Sequence, residues 1–202
     1  MGKIAFVFPG QGAQVVGMGQ NVYENSAVAK DVFEQASKAV DLDLKALCFE
    51  ENNDINITEF TQVCLLTTSV AIMEELKTRG VKADVAAGLS LGEYCALVAA
   101  GSMNFVDAAK AVRKRGIFMQ EEVPAGKGTM AAILGMDAAE IDKNIEEFDK
   151  VQVANYNCPG QIVISGSIEG INKACELMKA AGAKRALPLK AVSYTHLTLP
   201  TT

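Results

Sequence analysis

The stretch that decides the fold is an apolar segment, a turn of small residues and a second apolar segment: Val81-Lys82-Ala83-Asp84-Val85-Ala86-Ala87-Gly88-Leu89-Ser90-Leu91-Gly92-Glu93-Tyr94-Cys95-Ala96-Leu97-Val98-Ala99-Ala100. Residues 81–88 are predicted to form a strand and residues 93–100 a helix that ends at Gly101. Between them, residues 88–92 have the pattern G-x-S-x-G, in which a sharp strand-to-helix turn exposes a serine hydroxyl. Glycine-flanked turns of ordinary βαβ units also produce this pattern, but its place between a strand and a helix favours a nucleophile elbow.

The rest of residues 1–125 alternates between a second strand and further helices. Residues 3–8 read as a buried strand that ends at Pro9-Gly10, and Asn25-Ser26 offers an N-cap for the helix that follows. Further helices are predicted over residues 61–77 and 105–122. A strand, a turn and a helix in that order indicate an α/β fold with a parallel sheet.

Residues 126–190 have a different pattern and are predicted to form a small subdomain. Strands and helices alternate in the order β-α-β-β-α-β, which is typical of a ferredoxin-like unit. The predicted ranges are 129–134, 138–148, 151–156, 161–165, 168–181 and 185–189, with a turn at Asn157-Cys158-Pro159-Gly160.

Composition narrows the class of protein. Of 202 residues, 50% are hydrophobic and 21% are charged, which is enough apolar material for a core and too little charge for a disordered chain. The net charge of −5 disfavours binding to nucleic acid or to an anionic membrane. No apolar run approaches the roughly 20 residues that span a bilayer. We therefore predict a soluble, cytoplasmic protein.

Cysteine and histidine usage argues against a metal site. The five cysteines (48, 64, 95, 158 and 175) include no C-x-x-C pair, and His196 is the only histidine. The cysteines are predicted to be small apolar core residues in a reducing compartment.

A second candidate site is the glycine-rich loop Gly10-Gln11-Gly12-Ala13-Gln14 after the first strand. A dinucleotide-binding G-x-G-x-x-G would need glycine in place of Val15, and a P-loop would need lysine in place of Met18. The sequence therefore excludes both kinds of nucleotide-binding loop. Two interpretations remain: an exposed backbone that donates hydrogen bonds to an oxyanion, or a plain strand-to-helix turn.

A third candidate is the basic run of Lys110, Arg113, Lys114 and Arg115. The spacing alone favours interpreting this run as a solvated helix face, and the alternative is that one arginine binds a carboxylate.

Together these features resemble the malonyl-CoA–acyl carrier protein transacylases of fatty-acid synthesis. The resemblance extends over nearly the whole chain and rests on five blocks in the same order. They are Phe8-Pro9-Gly10-Gln11-Gly12-Ala13-Gln14, Gly88-Leu89-Ser90-Leu91-Gly92-Glu93-Tyr94, Arg115-Gly116-Ile117-Phe118-Met119-Gln120, Asn155-Tyr156-Asn157-Cys158-Pro159-Gly160-Gln161 and Arg185-Ala186-Leu187-Pro188-Leu189.

The resemblance implies a role for each matching residue. Ser90 would be the nucleophile, the backbone amides of Gln11 and Leu91 the oxyanion hole, and Arg115 the partner of the malonyl carboxylate. Asn155 and Gln161 would contact substrate. Leu89 departs from the family, in which many members have histidine there. The implied substrates are malonyl-CoA and acyl carrier protein, and coenzyme A enters as part of the substrate thioester. The implied enzyme is a monomer that holds no resident cofactor and no metal ion.

The C-terminal residues 191–202 do not fit the family pattern. His196 falls where the family has its catalytic histidine, but its neighbours differ from the family's Ser-Gly-Pro-Phe-His-Ser. His196 is therefore either the base or a chance residue in a foreign tail. The resemblance implies a C-terminally truncated chain whose hydrolase-like parallel-sheet core is incomplete at the C-terminus. Two alternatives to the transacylase stay open: a serine esterase or thioesterase, and an inactive fragment that only binds.

Overall fold

The computed structural model describes residues 2–122, 128–146, 148 and 150–189. They form two compact units, divided between Phe118 and Met119, and each unit has its own apolar core. The domain boundary predicted at residue 125 and the tail predicted over residues 191–202 lie outside the described residues.

The first unit contains a parallel pair of strands with helices between them. Its elements are β1 (Ala5–Phe8), α1 (Gln20–Asn25), α2 (Ala27–Val40), α3 (Leu44–Phe49), a single 3₁₀ turn (Asp54–Asn56), α4 (Thr58–Thr78), β2 (Val85–Gly88), α5 (Gly92–Ala99) and α6 (Phe105–Glu122), of which the last four residues lie past the division after Phe118. Strands β1 and β2 pair in parallel, with Phe8 opposite Gly88. Because parallel neighbours need a crossover connection, this pairing confirms the α/β class.

Several boundaries differ from those predicted. Strand β2 begins at Val85 rather than residue 81, since Asp84 uses its side chain and its backbone N–H to bind Ile4, ahead of the regular ladder. Helix α4 begins at Thr58, three residues before the predicted start, and α1 and α3 were not predicted because each has only six residues. The predicted cap of α2 is confirmed, because Ser26 Oγ accepts a hydrogen bond from Ala29 N–H.

Helix α4 is the centre of the first unit's core. Of its 21 residues, 12 are buried, among them Leu66 and Met73. A helix buried on most of its surface has no strong polar face, so its ends are hard to read from periodicity. The position of α4 therefore depends on contacts with α2, α5 and the 3₁₀ turn rather than on its own sequence.

Four cysteines are core residues as predicted, and one is not. Cys48, Cys64, Cys95 and Cys175 are buried, whereas Cys158 is exposed at the end of a strand. A hydrogen bond with Cys48, together with burial, raises the pKa of Cys64 above its ordinary range. The prediction of a core position was wrong for Cys158, because its part of the strand faces solvent.

The second unit has the predicted element order. It consists of β3 (Gly128–Leu134), α7 (Ala138–Ile145), β4 (Val151–Cys158), β5 (Gln161–Ser167), α8 (Ile168–Ala180) and β6 (Arg185–Pro188). The strands form an antiparallel sheet in the order β4-β5-β3-β6. The turn is shorter than predicted: Asn157 and Cys158 belong to β4, and Gly160, with a φ of 75°, completes a two-residue turn with Pro159.

Candidate active site

The turn between β2 and α5 has the geometry of a nucleophile elbow. Ser90 has a φ of 52°, in the left-handed region that non-glycine residues rarely adopt. Such a conformation costs on the order of 1–3 kcal/mol and persists only where the surrounding structure enforces it. The observed strain is what the G-x-S-x-G pattern predicts for a serine held at a sharp strand-to-helix turn.

The two flanking glycines allow the backbone segments to approach closely. A Cβ on Gly88 would lie 1.9 Å from the carbonyl carbon of Gly92, and a Cβ on Gly92 would lie 2.3 Å from the carbonyl oxygen of Phe8. Any side chain at either position would therefore displace backbone. The spacing of the pattern thus follows from two close approaches, of Gly88 to Gly92 within the elbow and of Gly92 to the end of β1.

The glutamine loop lies against the elbow. Leu89 N–H donates a 3.2 Å hydrogen bond to Phe8 O, and a Cβ on Gly10 would lie 2.8 Å from Leu89 O. Neither Gln11 N–H nor Leu91 N–H donates to an acceptor within the described residues. Leu91 N–H also precedes the first turn of α5, where the helix dipole favours negative charge. Both amides are free to donate hydrogen bonds, and their assignment to an oxyanion hole stays a prediction.

Arg115 contacts the proposed nucleophile directly. Its Nη2 donates a 3.0 Å hydrogen bond to Ser90 Oγ, and its Nη1 donates to Gln62 Oε1. The guanidinium carbon lies 5.8 Å from the centre of the Tyr94 ring. The structure thus brings a fixed positive charge to the serine hydroxyl from a helix 25 residues away in sequence.

The basic run is not a uniformly solvated face. Lys110 and Lys114 are exposed, but Arg113 and Arg115 are half-buried and hydrogen-bonded. The interpretation favoured from spacing was wrong for these two arginines, because charge spacing does not show which side of a helix meets another element.

The first turns of α4 supply site residues that sequence reasoning missed. Gln62 is fully buried and accepts from Arg115, while Thr58 Oγ1 accepts a 3.0 Å hydrogen bond from Gln11 Nε2. Gln11 Oε1 is buried without a protein partner among the described residues. The available signal was a glutamine next to the apolar run Val63-Cys64-Leu65-Leu66, since a buried amide requires polar partners.

The remaining predicted residues lie elsewhere. Asn155 is half-buried on β4 opposite Val163, and Gln161 is exposed at the start of β5, where its Oε1 accepts from Cys158 Sγ at 3.7 Å. Both belong to the second unit, so their roles stay predictions. His196 lies outside the described residues.

The described residues show neither a metal-binding cluster nor a membrane-spanning helix. They contain no group of three or more His, Cys, Asp or Glu side chains that could hold a metal ion. Every helix within the same ranges is too short or too polar to cross a membrane.

Comparison with known proteins gives the family. A family model described as an acyl transferase domain matches residues 5–195. The chain belongs to this acyl transferase family. The model covers the elbow, the glutamine loop and both arginines of α6, whereas His196 falls outside the matched range.

The names of individual relatives are more specific than the description of the family. The chain is 52% identical over 201 residues to the malonyl CoA-acyl carrier protein transacylase of Bacillus subtilis, covering 97% of this chain and 63% of that protein. It is 47% identical to the enzyme of the same name from Escherichia coli K12, covering 98% of this chain and 66% of the relative. The chain thus spans slightly less than two thirds of the length of these relatives.

Solved structures agree with this family assignment. The crystal structure of the malonyl CoA-acyl carrier protein transacylase from Clostridium perfringens superimposes with a TM-score of 0.88 at 45% identity, covering 98% of this chain and 63% of the other. A type II PKS acyl-carrier protein in complex with its malonyl-transacylase gives a TM-score of 0.89 at 40% identity, covering 98% of this chain and 65% of the other.

Proposed function

We propose that Ser90 accepts a malonyl group from coenzyme A and passes it to the pantetheine thiol of acyl carrier protein. The observation that carries this proposal is the strained Ser90, whose Oγ is hydrogen-bonded to the guanidinium of Arg115. The names of the Bacillus subtilis and Escherichia coli relatives support malonyl transfer, and the PKS complex supports an acyl carrier protein as partner.

Acylation begins when Ser90 Oγ attacks the thioester carbonyl carbon and gives its proton to a base. The carbonyl oxygen becomes negatively charged and receives hydrogen bonds from the free amides of Leu91 and Gln11. Collapse of this intermediate breaks the carbon–sulfur bond, and the departing coenzyme A sulfur takes up the proton. In the second half-reaction, the pantetheine thiol attacks the serine ester and Ser90 regains its proton. His196 is our candidate for the base.

Arg115 makes the site selective for a dicarboxylic acyl group. The malonyl carboxylate lies only two carbon–carbon bonds from the carbonyl that Ser90 attacks, and the guanidinium already contacts Ser90 Oγ. The planar guanidinium can donate two parallel hydrogen bonds to a carboxylate, which a neutral acetyl group cannot accept.

The finer architecture is part of the same proposal. The parallel β1–β2 pair with its elbow is assigned to a hydrolase-like core, and the antiparallel sheet with α7 and α8 to a ferredoxin-like subdomain. Asn155 and Gln161 of that subdomain are proposed to contact substrate. We further propose a monomeric, cytoplasmic enzyme that uses no resident cofactor.

Labelling with radioactive malonyl-CoA tests the proposal. The chain is expected to become labelled at Ser90 and to lose the label when holo-acyl carrier protein is added. Ser90→Ala should abolish labelling, whereas the matched control Ser102→Ala, at an exposed serine, should not change it.

Three other outcomes would contradict the proposed transfer. Release of free malonate without carrier protein would identify a hydrolase. Stoichiometric labelling that carrier protein cannot remove would identify a fragment competent only for the first half-reaction. Absence of label from the unmodified chain would show that it does not perform acylation.

A further inference from the structure

A second arginine of α6 is held close to the site without contacting the nucleophile. Arg113 Nη1 donates to both the backbone carbonyl of Glu59, at 2.9 Å, and the carboxylate Oε2 of Glu59, at 2.7 Å. Its guanidinium carbon lies 4.8 Å from the centre of the Phe60 ring. The side chains of Arg113 and Glu59 are only 17% and 27% exposed, so solvent screens this pair less than a surface ion pair.

The geometry of α6 connects this pair to Arg115. An α-helix turns about 100° per residue, so Arg113 and Arg115 are separated by about 200° around the axis. Between them lies the buried face of Val112 and Gly116. The two arginines therefore project from opposite flanks of that face.

The buried face meets α4 in close contact. A Cβ on Gly116 would lie 2.7 Å from the Cα of Glu59 and 3.0 Å from the carbonyl oxygen of Thr58. On one flank of this contact Arg113 binds Glu59, and on the other Arg115 binds Gln62. The first turns of α4 thus hold both guanidinium groups, and only one of them reaches Ser90.

We propose that Glu59 and Arg113 are a positioning pair that sets the register of α6 on α4 and thereby places Arg115 beside Ser90. A glycine contact has no side chain to interlock and does not by itself prevent sliding or rotation. A shift of one residue along α6 would move a side chain by about 1.5 Å and rotate it by about 100°. Either change is enough to break the hydrogen bond between Arg115 and Ser90 Oγ. The consequence for acyl selectivity rests on the proposed function.

Helix α4 offers a matched control for the loss of an ion pair. Glu74 pairs with Lys77 at 2.7 Å near the opposite end of the helix, with side chains 31% and 37% exposed. Glu59→Gln and Glu74→Gln make the same chemical change on the same helix. Only the first should affect Arg115.

The first experiment does not depend on turnover. In the full chain labelled with ¹⁵N-arginine, the Arg115 Nε–H signal is assigned from its absence in Arg115→Lys. Glu59→Gln should shift or broaden that signal, and Glu74→Gln should leave it unchanged. An Arg115 signal that is the same in Glu59→Gln and the unmodified chain would overturn the proposal. If Glu59→Gln fails to fold, Arg113→Gln replaces it in the same comparison.

The second experiment measures acylation of Ser90 in a single turnover, with malonyl-CoA and acetyl-CoA compared at several concentrations. In Glu59→Gln, the malonyl-CoA concentration giving half-maximal rate should rise at least about tenfold, because small misplacements of a binding group have large effects. The acetyl reaction should match that of Glu74→Gln. Arg113→Lys keeps the positive charge and should therefore retain more of the preference for malonyl-CoA than Arg113→Gln does. Equal loss of that preference in the two variants would contradict the proposal.

The two proposals can fail separately. An equal loss of malonyl and acetyl reactions would show a merely structural role for the Glu59–Arg113 pair. An unmodified chain that malonyl-CoA does not acylate would refute the proposed function. The Arg115 signal would then still decide whether the pair positions the guanidinium.

Discussion

The guanidinium of Arg115 donates through Nη2 to Ser90 Oγ at 3.0 Å while its Nη1 donates to the buried Gln62. Ser90 Oγ therefore already has one hydrogen-bond donor before substrate arrives. Under the proposed function, a bound malonyl carboxylate would compete with both acceptors for the same five N–H groups of the guanidinium. Substrate binding should thus release Ser90 Oγ from Arg115 as the carboxylate takes its place, which ties activation of the nucleophile to the correct acyl group.

Replacing Arg115 should change selectivity more than chemistry. In Arg115→Ala, acylation by malonyl-CoA should fall by about 100-fold, the scale for removing one partner of a buried charged pair. Acylation by acetyl-CoA should change little or increase. The measurement is the ratio of the two single-turnover rates, with Lys114→Ala as the control at an exposed neighbour. An unchanged ratio would refute the carboxylate-binding role.

A glutamate at position 62 would compete with the malonyl carboxylate for Arg115. Gln62→Glu keeps an acceptor for Arg115 and adds a negative charge, so the guanidinium gains a permanent ion pair within the protein. The malonyl-CoA concentration for half-maximal acylation should rise about tenfold or more, since the new pair must be broken for the substrate to bind. Acetyl-CoA serves as the internal control, because it has no carboxylate. Equal effects on both substrates would show that Gln62 acts only through packing.

The close approach at the elbow predicts a stability effect. In Gly92→Ala, the new Cβ would meet Phe8 O at 2.3 Å and Pro9 O at 2.8 Å. Overpacking of this kind lowers the free energy of unfolding by about 1–3 kcal/mol, and here the neighbour is backbone that cannot rotate away. Urea unfolding measures the change. Gly2→Ala, where nothing lies within 4 Å, should leave the midpoint unchanged, and equal midpoints for both variants would contradict the described packing.

The buried thiol of Cys95 predicts a loss of stability at alkaline pH. Burial raises the pKa of Cys95 from 9.0 to about 11 in the folded chain. Because the folded state holds the proton more tightly, this contribution is complete below pH 9 and is lost as the pH rises through 11. A shift of this size corresponds to about 2–3 kcal/mol.

The measurement for Cys95 is the difference in unfolding free energy between the unmodified chain and Cys95→Ala from pH 7 to 11. Taking the difference removes the contributions of Cys64, Cys175 and Tyr156, whose pKa values are also raised. The advantage of the unmodified chain should shrink above pH 9. A difference that is constant with pH would show that the thiol titrates normally.

Local sequence was sufficient for much of the fold. Helix α6 has the predicted bounds, and the second unit has the predicted order of strands and helices. These elements carry regular apolar spacing and strong turn residues, which are properties of neighbouring residues in the chain. The short helices α1 and α3 and the start of α4 were missed, because tertiary packing rather than local pattern defines them.

The same division applies to the site. Sequence alone determined that Ser90 stands in a strained strand-to-helix turn, because only glycine fits two residues to either side. It also placed Gln11 in a glycine-rich loop directly after a strand, but the prediction that this strand is buried was wrong, since only Phe8 of β1 is buried. What only the tertiary structure decided is which polar residues meet there. Gln62 and Thr58 join Arg115 and Gln11 because α4 lies beside both the loop and α6, and contacts between residues about 50 positions apart leave no periodic signal in the sequence.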